Sequence, residues 1–200
     1  ILLAAAAGDL PLLVACLSGS VMALMILNLL TAGEPGAAAA TAGKAILGIC
    51  YVPLLMSHFL LVRRTPEGVL WIFFILILAF CGDIAAFYVG KGWGKHKLLP
   101  HVSPGKTVEG TLGLVAGSVT GSCVFSRLFF PELPLTEAAV LGLVGSVLGQ
   151  LGDLSESMLK RAAGMKDSGA LLPGHGGILD RLDCLMFIVP FVYYYRVLVV

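Results

Sequence analysis

Charge is what this sequence has least of. Only 12% of its 200 residues are Asp, Glu, Lys or Arg, against roughly a quarter in soluble globular domains. The formal net charge is +1, which leaves no basic field for a nucleic acid. Five cysteines, Cys16, Cys50, Cys81, Cys123 and Cys184, stand singly in apolar runs. With no C-x-x-C and no Cys/His cluster among them, a disulfide framework or a zinc site has no support, and packing between helices accounts for them. No segment alternates apolar and polar residues with period two, so the strands of a membrane barrel are excluded.

What is present is long apolar sequence: 58% hydrophobic residues and a mean hydropathy of +0.96. About 20 residues at about 1.5 Å each cross a hydrocarbon core of about 30 Å. Six windows meet that length, roughly 10 to 30, 44 to 63, 68 to 90, 108 to 130, 136 to 159 and 177 to 199. The expected fold is an all-α, polytopic membrane helical bundle, with residues 1–66 forming N-terminal helices and 67–200 a catalytic membrane domain. Segments 91–107 and 164–176 are expected to be cytoplasmic loops. The opening "ILLAAAAG" reads as the tail of an earlier apolar segment, so a natural beginning upstream is expected.

The charges are not spread evenly. Nine lie between Asp153 and Asp183 and six between Asp83 and Glu109, and His96, His101 and His175 share those stretches. Alternation of the helices puts both stretches on one face, with Lys91, Lys95, Lys97, Lys106, Lys160, Arg161, Lys166 and Arg181 there. Arg63, Arg64, Arg127 and Arg196 fall opposite, so the positive-inside rule makes the first face cytoplasmic. Lysines and arginines at span ends can be simple anchors that reach head groups. Carboxylates cannot. Asp83 sits inside an apolar run, seven residues before Gly90, where an acid costs roughly 2.5 to 3.5 kcal/mol on insertion scales; it either braces helices or faces a ligand.

In "QLGDLSESMLKR" the residues Asp153, Glu156, Ser157 and Lys160 fall at i, i+3, i+4 and i+7, one face of one helix. Asp180 and Asp183 are again three apart, beside Gly176 and Gly177, where missing side chains let a backbone or phosphate approach. Acids gathered near lipid repel unless protonated or neutralised. Hard oxygen ligands suit Mg²⁺, which is held by one or two carboxylates plus substrate phosphates, and the neighbouring Lys160, Arg161, Lys166, Arg181 and His175 suit phosphate oxygens. Acids for a metal beside bases for phosphate point to phosphoryl or nucleotidyl transfer; the plain alternative is a salt-bridge lattice. "SPGKTVEG" is not a Walker A loop, because Pro100 stands where that motif needs Gly. Ser103, Lys106, Thr107 and Glu109 either cradle phosphate or ribose, or simply cap the next helix.

The segment "SMLKRAAGMKDSGALLPGHGGILDRLD", 157–183, resembles the signature of the phosphatidate cytidylyltransferases. Ser157, Lys160, Arg161, Lys166, Asp167, Gly169, Pro173, His175, Gly176, Gly177, Asp180, Arg181 and Asp183 fall on its specified positions. "CGDIAAFYVGKGWGKHKLLPHVSPGKTVEG" is similar to a second block of the same family. The resemblance implies transfer of CMP from CTP to phosphatidate, giving CDP-diacylglycerol and pyrophosphate, with Mg²⁺ and room for a second cation.

On that resemblance Asp153 and Asp180 hold the metal, with Asp183 and Glu156 as supporting or alternate ligands. Lys160, Arg161, Lys166 and Arg181 hold the triphosphate or the lipid phosphate, and His175 orients one of them. Ser103, Lys106, Thr107 and Glu109 close on the nucleotide, Asp167, Gly176 and Gly177 complete the substrate site, and Asp83 lines the cavity. The implied location is the plasma (inner) membrane, with the site facing the cytoplasm; a homodimer is an open arrangement. Two rivals are a CTP-dependent polyprenol or phytol kinase and an ion-coupled transporter, the latter weakened by the lack of an internal repeat.

Overall fold

The computed structural model describes residues 1–31, 35–169 and 177–199. The chain is helical almost throughout: α1 (Leu2–Ala7), α2 (Leu10–Thr31), α3 (Pro35–Ile49), a π-helical turn (Cys50–Leu54), α4 (Leu55–Arg64), α5 (Gly68–Trp93), α6 (Val108–Phe129), α7 (Leu135–Ala162), α8 (Leu179–Leu182) and α9 (Leu185–Leu198). Five helical stretches among the described residues are long and apolar enough to cross a membrane, Leu10–Thr31, Gly36–Arg64, Gly68–Trp93, Val108–Phe129 and Leu135–Ala162; α9 is a shorter apolar helix. Leu29, Leu112 and Leu128 stay 80%, 66% and 66% exposed, a cost in water that disappears when lipid is the solvent. This is an integral membrane protein built as an all-α bundle.

The chain divides into two compact units, Ile1–Gly68 and Val69–Val200. In the first, α1 ends on Gly8, whose left-handed conformation lets its N–H and that of Asp9 reach back to Ala5 and Ala4. Asp9 then opens α2 by accepting from the Leu12 N–H at 2.9 Å. The second span begins earlier than the expected residue 44, because "AAAA" at 37–40 is strong helix former. Pro53 has no N–H to give, and the helix takes up the defect as the π turn. There the Leu54 carbonyl accepts from the Ser57 hydroxyl and bonds the His58 ring.

In the second unit small residues bring the backbones close. A Cβ on Gly117 of α6 would lie 2.5 Å from the Ala85 Cβ and the Cys81 carbonyl oxygen of α5. On α7, one on Gly152 would lie 2.7 Å from the Asp183 carbonyl oxygen. Such contacts replace the hydrophobic effect, which gives no drive for association between helices within lipid. At one end an aromatic plug closes the unit: Trp71 stacks edge-on against Phe130 and Phe74, with ring centroids 5.0 and 5.8 Å away, and Tyr195 donates to Glu137.

Two features depart from the sequence expectation. The 91–107 loop contains an antiparallel hairpin, β1 (Lys97–Leu99) and β2 (Ser103–Thr107), in register Lys97 with Thr107 and Leu99 with Ser103. Three- and five-residue strands around a proline-containing turn leave no periodicity to read. The expected sixth span, 177 to 199, is broken into α8 and α9 at Asp183 and Cys184. There the Asp183 carboxylate accepts the Cys184 N–H at 2.7 Å and takes it out of the helical ladder. At 14 residues α9 is about 21 Å long.

Replacing Gly117 with valine is expected to cost about 3 kcal/mol, since backbone cannot yield as a side chain does. Gly92→Ala, which meets nothing within 4 Å, leaves stability unchanged. Thermal unfolding of the two variants in detergent checks the pair; equal melting temperatures would refute the packing described.

Candidate active site

The opposite end of the second unit from the aromatic plug collects its charge. α7 is about 42 Å long, so its last turns outreach the hydrocarbon core. Those turns carry Asp153, Glu156, Ser157 and Lys160 on one face. The Lys160 ammonium lies 2.5 Å from Glu156 Oε2 on its own helix and 2.6 Å from Asp180 Oδ1 on α8. A second lysine, Lys106 of β2, puts its ammonium 2.5 Å from Asp153 Oδ2. The guanidinium of Arg161 reaches the Val102 carbonyl in the hairpin turn at 3.4 Å. The two charged stretches of the sequence therefore meet in space.

Asp180 is the most heavily engaged acid. Besides Lys160 it accepts from the Ser168 N–H and hydroxyl, both at 2.9 Å, and from the Gly177 N–H at 2.7 Å. Burial opposes its ionisation, but these donors outweigh that and hold its carboxyl well below the usual carboxylate range. Asp183 is the reverse. Burial, reinforced by the negative charge of Asp153, pushes its carboxyl up to about 7.

A cleft of about 330 Å³ runs between α5, the hairpin, α6 and α7, with Asp83, Lys91, Lys106, Gln150 and Asp153 on its walls. Asp153 and Lys106 act electrostatically on both Asp83 and Asp183. Among the described residues no group of three or more His, Cys, Asp and Glu side chains forms a ready metal cage. Mg²⁺ does not need one, because it takes one or two carboxylates and completes its shell with water and substrate phosphates. Glu156 and Asp180 around Lys160, with Asp153 on Lys106, supply hard oxygens and surplus negative charge, so the donor set fits such an ion.

Other expected site residues have different surroundings. Thr107 lines the cleft, but its hydroxyl accepts from the Gly110 N–H at 3.0 Å as the N-cap of α6. Glu109 accepts from the Lys95 and His96 N–H groups and pairs with the His96 ring at 2.6 Å, a clip between α6 and the end of α5. Ser103 pairs across the hairpin with Leu99. Lys166, Asp167 and Arg181 are exposed, whereas Gly177 is buried. His175 and Gly176 lie outside the described residues.

The cytidylyltransferase family model matches residues 1–199. The chain belongs to the cytidylyltransferase family. Among curated relatives, the phosphatidate cytidylyltransferase of Bacillus subtilis (strain 168) is 40% identical over 153 residues, covering 76% of this chain and 57% of the relative. That of Staphylococcus epidermidis (strain ATCC 12228 / FDA PCI 1200) is 39% identical over 149 residues, 74% of this chain and 56% of the relative. That of Staphylococcus aureus (strain COL) is 40% identical over 151 residues, with the same two shares. The chain thus spans a little over half the length of the curated relatives it matches. The family is the one that the 157–183 signature resembles.

Two residues of the site were not singled out from the sequence. Ser168 holds Asp180 through both its N–H and its hydroxyl, and no spacing rule marks a serine twelve residues before its acid. Gln150 had a visible signal, a polar side chain within an apolar helix one turn before Asp153.

An acid whose folded pKa stands above its unfolded value, about 3.9 for Asp, favours the folded state only while protonated. Metal-free protein should therefore lose stability as pH rises from about 4 through about 7. The expected signature is a melting-temperature advantage of Asp183→Asn over the parent that grows across that window. A difference independent of pH would show that Asp183 does not titrate there.

Proposed function

We propose that the second unit transfers CMP from CTP to phosphatidate, giving CDP-diacylglycerol and pyrophosphate. The observation that carries this reading is the meeting of acids from α7 and α8 with Lys106 and Lys160 at the polar end of an apolar bundle, beside a cleft of about 330 Å³. The relatives, which are phosphatidate cytidylyltransferases, support it. A phosphate oxygen of the lipid attacks the α-phosphorus of CTP, the bond from that phosphorus to the bridging oxygen breaks, and pyrophosphate leaves. That oxygen is already anionic near neutral pH, so the protein's task is positioning and charge neutralisation rather than proton removal.

Asp153 and Asp183 would hold Mg²⁺, whose chemistry when bound is neutralisation of the triphosphate's charge. Asp180, paired with Asp153 in the sequence reading, has both oxygens occupied and instead fixes Lys160, Ser168 and Gly177. Lys106 and Lys160 rest on carboxylates and can exchange them for phosphate oxygens. Lys91 at the cleft wall, together with Arg161, Lys166 and Arg181, adds positive charge where the nucleotide enters. Within this unit the basic residues outnumber Arg127 and Arg196 at the other end, which favours a site facing the cytoplasm of a plasma membrane. Acyl chains then stay in lipid while CTP arrives from water.

Incubation with phosphatidate and CTP labelled separately at the α- and γ-phosphates tests the reading. Label from the α position should enter lipid, with pyrophosphate released only when both substrates and Mg²⁺ are present. Transfer of the γ-phosphate would establish a kinase instead. The division of labour between the acids has its own check. Asp183→Asn is expected to raise the Mg²⁺ concentration for half-maximal rate by at least about tenfold, as loss of a metal ligand or of its close support does. Asp180→Asn should lower the rate and the melting temperature with little change in that concentration; the opposite pattern would exchange their roles.

A further inference from the structure

Gln150 is 8% exposed, and its Nε2 meets no acceptor among the described residues. A buried amide donor left without a partner is costly, and native structures rarely keep one without a reason. It lines the 330 Å³ cleft and also a cavity of about 20 Å³ continuing below it, between Leu78, Leu114 and Ile188. Three of the polar neighbours there are already engaged, and the Asp83 carboxylate, which lines both spaces, takes no hydrogen bond from the amide. Ser118 donates to the Leu78 carbonyl at 2.9 Å, Ser146 donates to the Leu143 carbonyl at 2.7 Å, and Asp153 holds Lys106.

Depth identifies the missing acceptor. Gln150 lies three residues before Asp153 on α7, about 4.5 Å further from the polar end, and its surroundings turn apolar. In a phosphatidate whose phosphate sits among Lys106, Lys160 and the acids, the first groups below the phosphate are the glycerol ester carbonyls. These are uncharged, accept hydrogen bonds and cannot donate them, and they mark the border of the hydrocarbon. A neutral amide N–H₂ suits that acceptor better than an ammonium would, because no charge has to be desolvated.

We propose that Gln150 donates a hydrogen bond from Nε2 to an ester carbonyl of the phosphatidate substrate, setting the depth of the lipid in the cleft and favouring ester-linked over ether-linked chains. This rests on the function proposed above. A neutral hydrogen bond of this kind corresponds to a few-fold to about tenfold effect on binding.

The test compares diacyl and dialkyl phosphatidate of equal chain length in mixed micelles, using the full chain and its Gln150→Leu variant. Replacing an unpaired buried amide with an apolar side chain of similar size is nearly neutral for folding, and a melting curve confirms it. The parent should show a KM about fivefold lower for the diacyl lipid. Gln150→Leu should raise that KM by about the same factor and leave the dialkyl KM, the CTP KM and kcat unchanged. Equal effects on both lipids, an effect on the CTP KM alone, or no preference in the parent would overturn the proposal; the last is the result expected if the amide holds only an ordered water. Should neither lipid yield product with CTP, the functional reading itself fails. Thermal stabilisation by the two lipids then decides the hydrogen bond: stronger stabilisation by the diacyl form, lost in Gln150→Leu, supports it, and equal stabilisation refutes it.

Discussion

Carboxylates at the edge of a bilayer must be neutralised, and the second unit is organised by how that is done. Lys160 joins Glu156 and Asp180, tying the end of α7 to α8, and Lys106 joins Asp153, tying the hairpin to α7. Removing one partner of such a pair strands a charge where water is scarce. The same contacts let acids from α7 and α8 stand close together, with lysines balancing their charge.

The rest of the unit serves this end. Close backbone approaches at Gly117 and Gly152 set α6 against α5 and α7 against the break before α9, and side chains of α5, the hairpin, α6 and α7 share one cleft. The aromatic plug around Trp71 packs the far end. The break at Asp183 is part of the design as well. The Asp183 carboxylate takes the Cys184 N–H at the break, and the negative charge of Asp153 acts on it there.

Much of this was legible in the sequence, for identifiable reasons. Three apolar windows, 68 to 90, 108 to 130 and 136 to 159, came within three residues of α5, α6 and α7, because lipid requires long unbroken apolar runs. The stripe from Asp153 to Lys160 follows from helical periodicity alone. The hairpin could not be read this way, since its strands are too short for a period. Nor could the split of the sixth span, which depends on one side chain competing for a backbone N–H. The donors from Ser168 and Gly177 to Asp180 follow no helical spacing, and the sequence did not single them out as its partners.

The central claim is that the acid cluster exchanges its lysines for a divalent cation and the triphosphate. Crystals grown with Mn²⁺ and a non-hydrolysable CTP analogue test it most directly. Anomalous density against Asp153 and Asp183, with the Lys106 and Lys160 ammonium groups turned onto phosphate oxygens, is the expected result. Bound nucleotide with no metal peak at those acids, and with both lysines still on their carboxylates, would contradict it.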